Sequence, residues 1–297
     1  MTEFFQQIIN GLSVGSMYAL IAIGYTLVYG VLRFINFAHS DVFMVGSFAG
    51  FYIGRNFSQT SFGGGMVAML GAMLICAVLG IFIERFAYRP LRERSKLTVL
   101  ITAIGVSLLL ENAGQLIFGA NPQSPDREIF PSRTFAVGQL SVSSKDIIVL
   151  GVTIALLALL QFIVLKTKIG TAMRAVAFNP QAASLMGINI NVVISFTFGL
   201  GSALAAAGGV LWGYKFPKID PLMGVAPGLT AFVAAVLGGI GNIPGAALGA
   251  LLIGVIETFV KGSRWSTWTE AIAFVLLILI LLFRPAGLLG KLQPEKV

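Results

Sequence analysis

The distribution of apolar residues along the chain constrains its fold most strongly. Nine apolar runs, separated by polar stretches, lie at 5–29, 41–54, 62–83, 97–119, 146–165, 191–214, 226–240, 245–260 and 268–283. A membrane-crossing helix needs about 20 such residues, and only 11% of the 297 residues are charged, against about 25% in soluble domains. The pattern argues against a soluble enzyme. It predicts an all-α, polytopic transmembrane bundle of about eight or nine spans, forming one domain over residues 1–297.

Three of the runs are too short to cross a bilayer upright. The runs at 41–54, 226–240 and 268–283 fall below the length that a span needs. We therefore expect these helices to be tilted, broken, re-entrant or extended by neighbouring residues.

Basic residues are concentrated in one polar stretch, 84–96, which contains Arg85, Arg89, Arg92, Arg94 and Lys96. Cytoplasmic loops of membrane proteins carry an excess of Lys and Arg, so we expect this stretch in the cytoplasm. Alternation of the spans then makes 120–145 an external loop and 166–190 a cytoplasmic loop. The net charge of +8 is interpreted as an orientation signal in a multi-pass membrane protein, with lipid rather than nucleic acid as its partner.

Motifs for catalysis and nucleotide binding are absent from the sequence. The Gly290-Lys291 pair is followed by Leu292, so no phosphate-binding loop is present. A single histidine and a single cysteine provide no metal-ligand cluster. We expect no cofactor and no enzymatic activity of the chain itself. Uphill transport would then require ATP hydrolysis by another chain, or an ion gradient.

Two carboxylates, Glu111 and Glu257, fall inside apolar runs, where an ionised side chain costs at least a few kcal/mol. Each is interpreted either as a structural hydrogen-bond partner or as a group in the pathway or its gate. With no intramembrane Lys or Arg beside them, these two carboxylates are poorly suited to relay protons or sodium ions, which weakly disfavours an ion-coupled carrier.

The segment 30–41, GVLRFINFAHSD, interrupts an otherwise apolar stretch with Arg33, Asn36, His39 and Asp41. Polar backbone at membrane depth is tolerated only where it is buried in protein or lines a cavity. The segment is therefore either an ordinary cytoplasmic loop or a broken segment near the translocation path. His39 alone is more typical of a packing group than of a proton shuttle.

Small residues recur four positions apart in three places: Gly11 and Gly15; Gly201, Ala205, Gly209 and Gly213; and Gly241, Gly245 and Gly249. Residues four apart share one helix face, and a face of small residues allows helices to approach closely in lipid. We interpret these faces as packing surfaces, with a pathway lining or sliding surface as the alternative.

The loop 166–190 contains the signals of a short helix. Asn179 is a favourable N-cap, Pro180 suits the first helical position, and Gly187 suits the residue after a helix end. These signals predict a helix over about 180–186. Because so short a helix does not persist alone, it either lies on the membrane surface or is presented to a cytoplasmic partner.

Several stretches together resemble the LivH-type branched-chain amino acid permeases of bacterial ABC importers, from about residue 8 to 290. They are INFAHSDVFMVGSF, LITAIGVSLLLEN, TAMRAVAFNPQAASLMGIN, FVAAVLGGIGNIPGAALGALLIGVIE and LLFRPAGLLG. The run NPQAASLMGINI resembles the coupling loop of that family, Glu-Ala-Ala, three residues, then Gly. Gln181 stands in place of the Glu, and Ser40 stands where the family commonly has Gly.

The resemblance implies a permease subunit of the prokaryotic inner membrane that carries branched-chain or related amino acids. It would pair with a second, homologous permease subunit and two cytoplasmic ATPase subunits, and an extracytoplasmic solute-binding protein would supply the substrate. ATP hydrolysis would occur on the partner chains.

The resemblance also implies roles for particular residues. We expect the ATPases to contact a group made of Arg174, Ala182, Ala183 and Gly187. The candidates for the translocation pathway are Asn36, His39, Thr102 and Glu257. The alternative function is an autonomous, ion-coupled secondary transporter or a channel for small polar solutes.

Overall fold

Each of the nine apolar runs corresponds to a helix in the computed structural model, which describes residues 2–57, 60–124, 128–138 and 140–290. The helices are α1 (Thr2–Leu32), α2 (His39–Arg55), α3 (Phe62–Ile83), α4 (Lys96–Phe118), α5 (Ser144–Lys166), α6 (Lys168–Phe178), α7 (Pro180–Leu185), α8 (Ile190–Lys215), α9 (Val225–Gly238), α10 (Ile243–Lys261) and α11 (Thr269–Phe283). The predicted all-α membrane bundle is confirmed.

Within the described ranges, seven helical segments are long and apolar enough to cross a membrane. They include α3, continued by π-helical and 3-10 turns to Leu91, and α11, extended by a 3-10 turn at Ser266–Trp268. Helices α2 and α9, with 17 and 14 residues, are shorter. The predicted eight or nine spans therefore correspond to seven full-length spans and two short helices.

Side chains mark where most of the helices begin. A polar side chain accepts a hydrogen bond from the first turn of seven helices, the caps being Ser61, Ser95, Ser143, Thr167, Asn179, Asn189 and Asn242. Such caps satisfy backbone N–H groups that have no partner within the helix. By contrast, Ala38 before α2 and Gly224 before α9 provide no side-chain cap.

Two elements depart from the sequence expectations. The loop 120–145, which we expect outside the cell, contains a hairpin of strands β1 (Thr134–Val137) and β2 (Leu140–Ser143), with Thr134 opposite Ser143. The loop 166–190 contains helix α6 in addition to the predicted α7, which lies within about one residue of its expected bounds.

Helix α1 lies at the centre of the bundle. In its most apolar stretch 89% of the residues are buried, against 11% in the segment that contains α11. Gly15 on α1 and Gly254 on α10 approach so closely that a Cβ atom on Gly254 would overlap the Gly15 backbone. Dispersion contacts at such small-residue crossings hold helices together in lipid, where the hydrophobic effect does not.

The other small-residue faces also pack helices. Gly209 on α8 lies against the backbone of α2 at Phe43, and Gly249 on α10 lies against the backbone of α9 at Ala234. Both contacts leave no room for a Cβ atom. The packing interpretation of these faces is supported by this geometry.

One end of the bundle carries the basic stretch 84–96, and we call it the basic end. Here the Arg92 guanidinium donates to Asn191 at the start of α8 over 2.6 Å, and Arg174 donates to the Val164 carbonyl at the end of α5 over 2.5 Å. Gly30, near the end of α1, faces Gly241 at the turn between α9 and α10.

At the far end, ion pairs join the first turn of α5 to α8 and to the loop before α5. The Lys215 ammonium lies 2.6 Å from Asp146 and 2.6 Å from the Ser13 hydroxyl, which ties α8 to α5 and α1. Lys145 pairs with Glu128 at 2.7 Å. Partial burial opposes ionisation of Glu128, but hydrogen bonds from Lys145 and Ser132 and the Lys145 charge together hold the pKa of Glu128 below its ordinary value.

Replacing Gly254 with alanine should destabilise the α1–α10 contact, because the added methyl group meets the Gly15 backbone. Overpacking of this kind costs about 1–3 kcal/mol. The matched control is Gly151→Ala on α5, where a Cβ atom meets nothing within 4 Å and alanine is the better helix former by about 1 kcal/mol. Thermal unfolding in detergent should show a lower midpoint for Gly254→Ala and an equal or higher one for Gly151→Ala. Equal midpoints for both variants would contradict the close contact.

Replacing Asp146 with asparagine should lower the free energy of unfolding by about 3–5 kcal/mol, because it leaves the Lys215 ammonium buried without its counter-ion. The two side chains are only 8% and 14% exposed. The control Glu128→Gln removes a partner from the more exposed pair with Lys145, and should cost less than about 1 kcal/mol. Equilibrium unfolding in mixed micelles measures both, and an equal cost for the two variants would refute the buried pair.

Candidate functional site

The segment between α1 and α2 turns back into the bundle. Helix α1 ends at Leu32, Arg33 adopts the left-handed conformation with φ of 56°, and α2 begins at His39. A non-glycine residue there costs roughly 1–2 kcal/mol. The first turn of α2 lies beside the last third of α1, since the His39 ring contacts Gly24 and packs edge-on against Tyr25 with ring centroids 5.0 Å apart. Of the two interpretations left open for this segment, the geometry favours the broken segment.

His39 fills the space between three helices. It is 1% exposed, and there is no room for a Cβ atom at Gly24, which faces its Nε2 atom. Gly201 on α8 lies beside Gly24 and also approaches the ring, at its Cε1 atom. The Nε2 atom has no hydrogen-bond partner among the described residues. This surrounding is typical of the packing group that the sequence indicated.

Asn36 is bonded within the broken segment to a distant part of the chain. The Tyr88 hydroxyl donates to Asn36 Oδ1 over 2.6 Å, and both side chains are buried. Tyr88 ends the π-helical turn Glu84–Tyr88 that continues α3. Such turns are rare and are frequent at functional sites. Tyr88 was not among the predicted site residues, because it falls in a stretch that its charge marked as a loop.

A second polar contact joins α2 to α4. The Ser107 hydroxyl donates to Asp41 Oδ2 over 2.5 Å, and Asp41 is 1% exposed. Glu111 lies one turn further along the same face of α4. The sequence marked Asp41 only as one of the polar residues that interrupt the apolar stretch at 30–41, and nothing in it distinguished Ser107.

The two short helices begin side by side. The backbone at Gly224, just before α9, touches the Ser40 carbonyl in the first turn of α2, and Gly228 faces the Ser40 side chain. From this junction α2 runs to the far end, where Gly54 approaches Ile129, and α9 runs to the basic end, where Gly239 meets Gly290. The N-terminus of a helix carries about half a positive charge, so the junction brings two positive helix ends together, beside the Asp41 carboxylate.

The other two pathway candidates form hydrogen bonds within their own helices. The Thr102 hydroxyl donates to the Thr98 carbonyl on its own helix. Glu257 pairs with Lys261 one turn along α10, and its Oε2 atom is buried without a hydrogen-bond partner among the described residues. The structure therefore brings Asn36 and His39 to the junction, whereas the hydrogen bonds described for Thr102 and Glu257 lie within α4 and α10.

Helix α7 is closed at both ends by the predicted residues. The Asn179 side chain accepts from the Ala182 N–H over 3.0 Å, and Pro180 occupies the first turn. Gly187 has φ of 82°, its N–H donates to the Ser184 carbonyl, and the Ile188 N–H donates to the Ala183 carbonyl. These two bonds form a Schellman motif, which requires a left-handed residue and so favours glycine.

The residues proposed to contact the ATPases differ in exposure. Ala183 is buried against its own chain, whereas Ala182 and Gly187 are exposed. Arg174 bonds to the last turn of α5 and to Thr171. Three large apolar side chains around α7 are among the most exposed in the chain: Phe178 at 81%, Leu185 at 89% and Met186 at 83%. The sequence did not show that these three side chains are exposed together. Which face of α7 is left uncovered depends on the burial of Ala183 against the rest of the chain.

Comparison with known proteins adds independent evidence. The family model of the branched-chain amino acid transport system permease component matches residues 7–281. The chain is 42% identical to the high-affinity branched-chain amino acid transport system permease protein BraD of Pseudomonas aeruginosa, over 99% of this chain and 98% of that protein.

It is 40% identical to the high-affinity branched-chain amino acid transport system permease protein LivH of Escherichia coli K12, with the same coverage. A probable branched-chain amino acid transport permease protein of Methanocaldococcus jannaschii is 26% identical over 93% of this chain and 89% of its own length. The chain, a multi-pass membrane protein by its seven apolar spans, therefore belongs to the family of branched-chain amino acid transport system permease components.

Proposed function

We propose that this chain is the membrane-spanning subunit of an ATP-driven importer that carries branched-chain or related amino acids across the cytoplasmic membrane of a prokaryote. The observation that carries the proposal is the near-complete alignment to two permeases named for this transport, at 42% and 40% identity. We further propose one permease domain over 1–297, with the basic end in the cytoplasm and the loop 120–145 outside.

Two cytoplasmic ATPase subunits are proposed to dock on the coupling loop 166–190. Support comes from α7, a helix with both ends capped that leaves Leu185 and Met186 almost fully exposed to solvent. Large apolar side chains on a short exposed helix are typical anchors for a groove on a partner. Ala182 and Gly187 border this surface. Ala183 seats the helix on its own chain, and Arg174 joins α6 to the end of α5.

The junction of α2 and α9 is proposed as part of the translocation pathway. An amino acid carries a carboxylate, which the positive ends of two helices attract, and an ammonium group, which the Asp41 carboxylate complements. Helices interrupted near the middle of the membrane serve this purpose in other transporters. Asn36 and His39 support the broken segment that leads to the junction. Thr102 and Glu257 stay predictions.

Movement of the ATPases would reach the junction through contacts already described. A shift of α6 and α7 acts on α5 through Arg174 and on α8 directly, because α7 leads into the Asn189 cap of α8. The Arg92–Asn191 bond links the start of α8 to the turn after α3, whose Tyr88 holds the broken segment at Asn36. A second permease subunit and an external binding protein complete the proposed assembly.

The proposal is tested by reconstitution into liposomes of the chain with its partner permease, two ATPases and binding protein. We expect uptake of labelled leucine, isoleucine or valine that depends on luminal ATP and on every subunit. The alternative is an autonomous secondary transporter. Accumulation of the amino acid by the chain alone, driven by a proton or sodium gradient, would establish that alternative and refute the proposal.

Gly187→Val should abolish ATP-dependent uptake, because a β-branched residue is disfavoured in the left-handed conformation that ends α7. The matched variant Gly187→Asn should retain most of the uptake, since asparagine tolerates that conformation. A Cβ atom at this position meets nothing within 4 Å, so the two variants differ in backbone preference and not in clashes. Amounts of each variant in the membrane serve as the control. Equal uptake by both would show that the end of α7 plays no part in coupling.

A further inference from the structure

A cavity of about 460 Å³ lies at the basic end of the bundle. It is bounded by the end of α1, the segment after α3, the boundary of α6 and α7, and the start of α8. Its size falls within the range of small-molecule sites, about 300–1,000 Å³. One wall is aliphatic and consists of Val31, Leu32, Val176, Ile190 and Ile194.

The cavity also contains three charged side chains, Arg33, Arg92 and Glu93. Arg92 is held in place by the bond from its Nη2 atom to Asn191 over 2.6 Å. Its Nη1 atom is buried and has no hydrogen-bond partner among the described residues. Because a buried donor without an acceptor is costly, this atom calls for an acceptor from a molecule outside the chain.

The other two charged groups of the cavity are the Arg33 guanidinium and the Glu93 carboxylate. Neither forms an ion pair with another described residue. Arg33 is the one described non-glycine residue with positive φ, a conformation that concentrates at functional sites. Two guanidinium groups, one carboxylate and an aliphatic wall therefore meet in a single cavity.

We propose that this cavity binds a zwitterionic amino acid with an aliphatic side chain on the cytoplasmic face. Arg92 Nη1 and Arg33 would donate hydrogen bonds to its carboxylate, and Glu93 would accept hydrogen bonds from its ammonium group. Guanidinium groups suit carboxylates because their donors match the two oxygens. The aliphatic wall would cover the side chain.

The site is placed to regulate transport. Asn179 and Pro180, which begin α7, line the same cavity as Arg33 at the end of α1. A bound amino acid would hold α7 against α1 and resist the shift that the ATPases impose. Accumulated amino acid in the cytoplasm would thus slow its own import; this regulatory role rests on the proposed function, whereas binding to the cavity does not.

Binding is tested first, on the complete transporter in nanodiscs of zwitterionic lipid, with L-leucine as the probe. Arg92→Gln should weaken binding at least about tenfold by removing charge-assisted hydrogen bonds, whereas Arg94→Gln, in the same stretch but outside the cavity, should not. Glu93→Gln should weaken binding of leucine but not of 4-methyl-2-oxopentanoate, which lacks the ammonium group. Equal leucine binding by all variants would overturn the proposal. So would an Arg92→Gln variant that binds leucine normally and loses only binding of added anionic lipid.

Regulation is tested in proteoliposomes that contain ATP with or without unlabelled leucine in the lumen. Luminal leucine should slow the initial rate of labelled uptake several-fold in the parent protein and in Arg94→Gln, but much less in Glu93→Gln, which alters the cavity and leaves the Arg92–Asn191 bond in place. Uptake that luminal leucine leaves unchanged would overturn the regulatory role and leave the proposed transport intact. Absence of ATP-dependent uptake would instead refute the proposed function, and the nanodisc measurement would still decide whether the cavity binds leucine.

Discussion

The close approach of α1 to its neighbours is the contact on which the rest of the structure depends. Glycines on α1, α8 and α10 allow close contacts where no larger residue fits, notably where the Gly15 backbone meets Gly254 and where Gly24 leaves room for the His39 ring. In lipid, this packing replaces the burial of apolar surface that holds a soluble core together. Most of α1 is buried by its neighbours. The outer helices α4, α5 and α11 have few buried residues, and much of their surface is left uncovered by the rest of the chain.

That enclosure also permits the broken segment and the junction of α2 and α9. Irregular backbone survives at membrane depth only if protein or water satisfies it. Here Asn36 is paired with Tyr88, and Asp41 with Ser107. These contacts attach the broken segment to the turn that continues α3, and the start of α2 to α4. The polar residues that interrupt the apolar pattern are thus the ones whose hydrogen bonds attach the broken segment to the bundle.

The sequence was sufficient for features that local chemistry decides. The nine apolar runs identified α1 to α5 and α8 to α11 among the described residues. Asn179 and Gly187 marked the ends of α7. Helix α6 was missed because only Thr167 separates it from α5, and the hairpin at 134–143 is too short for its alternation to be recognised. The partners of Asp41 and His39 depend on which helices cross. They lie 66 and 15 residues away along the chain, and no pattern in one sequence shows those crossings.

The shared origin of α2 and α9 has a mechanical consequence. The two helices leave one point and extend to opposite faces of the molecule, with backbone in direct contact at Ser40 and Gly224. A rigid tilt about that point would swing their outer tips in opposite senses, widening one vestibule while narrowing the other. Neither helix would need to bend or unwind, so in the proposed importer such a tilt would give alternating access for the small cost of repacking glycine surfaces.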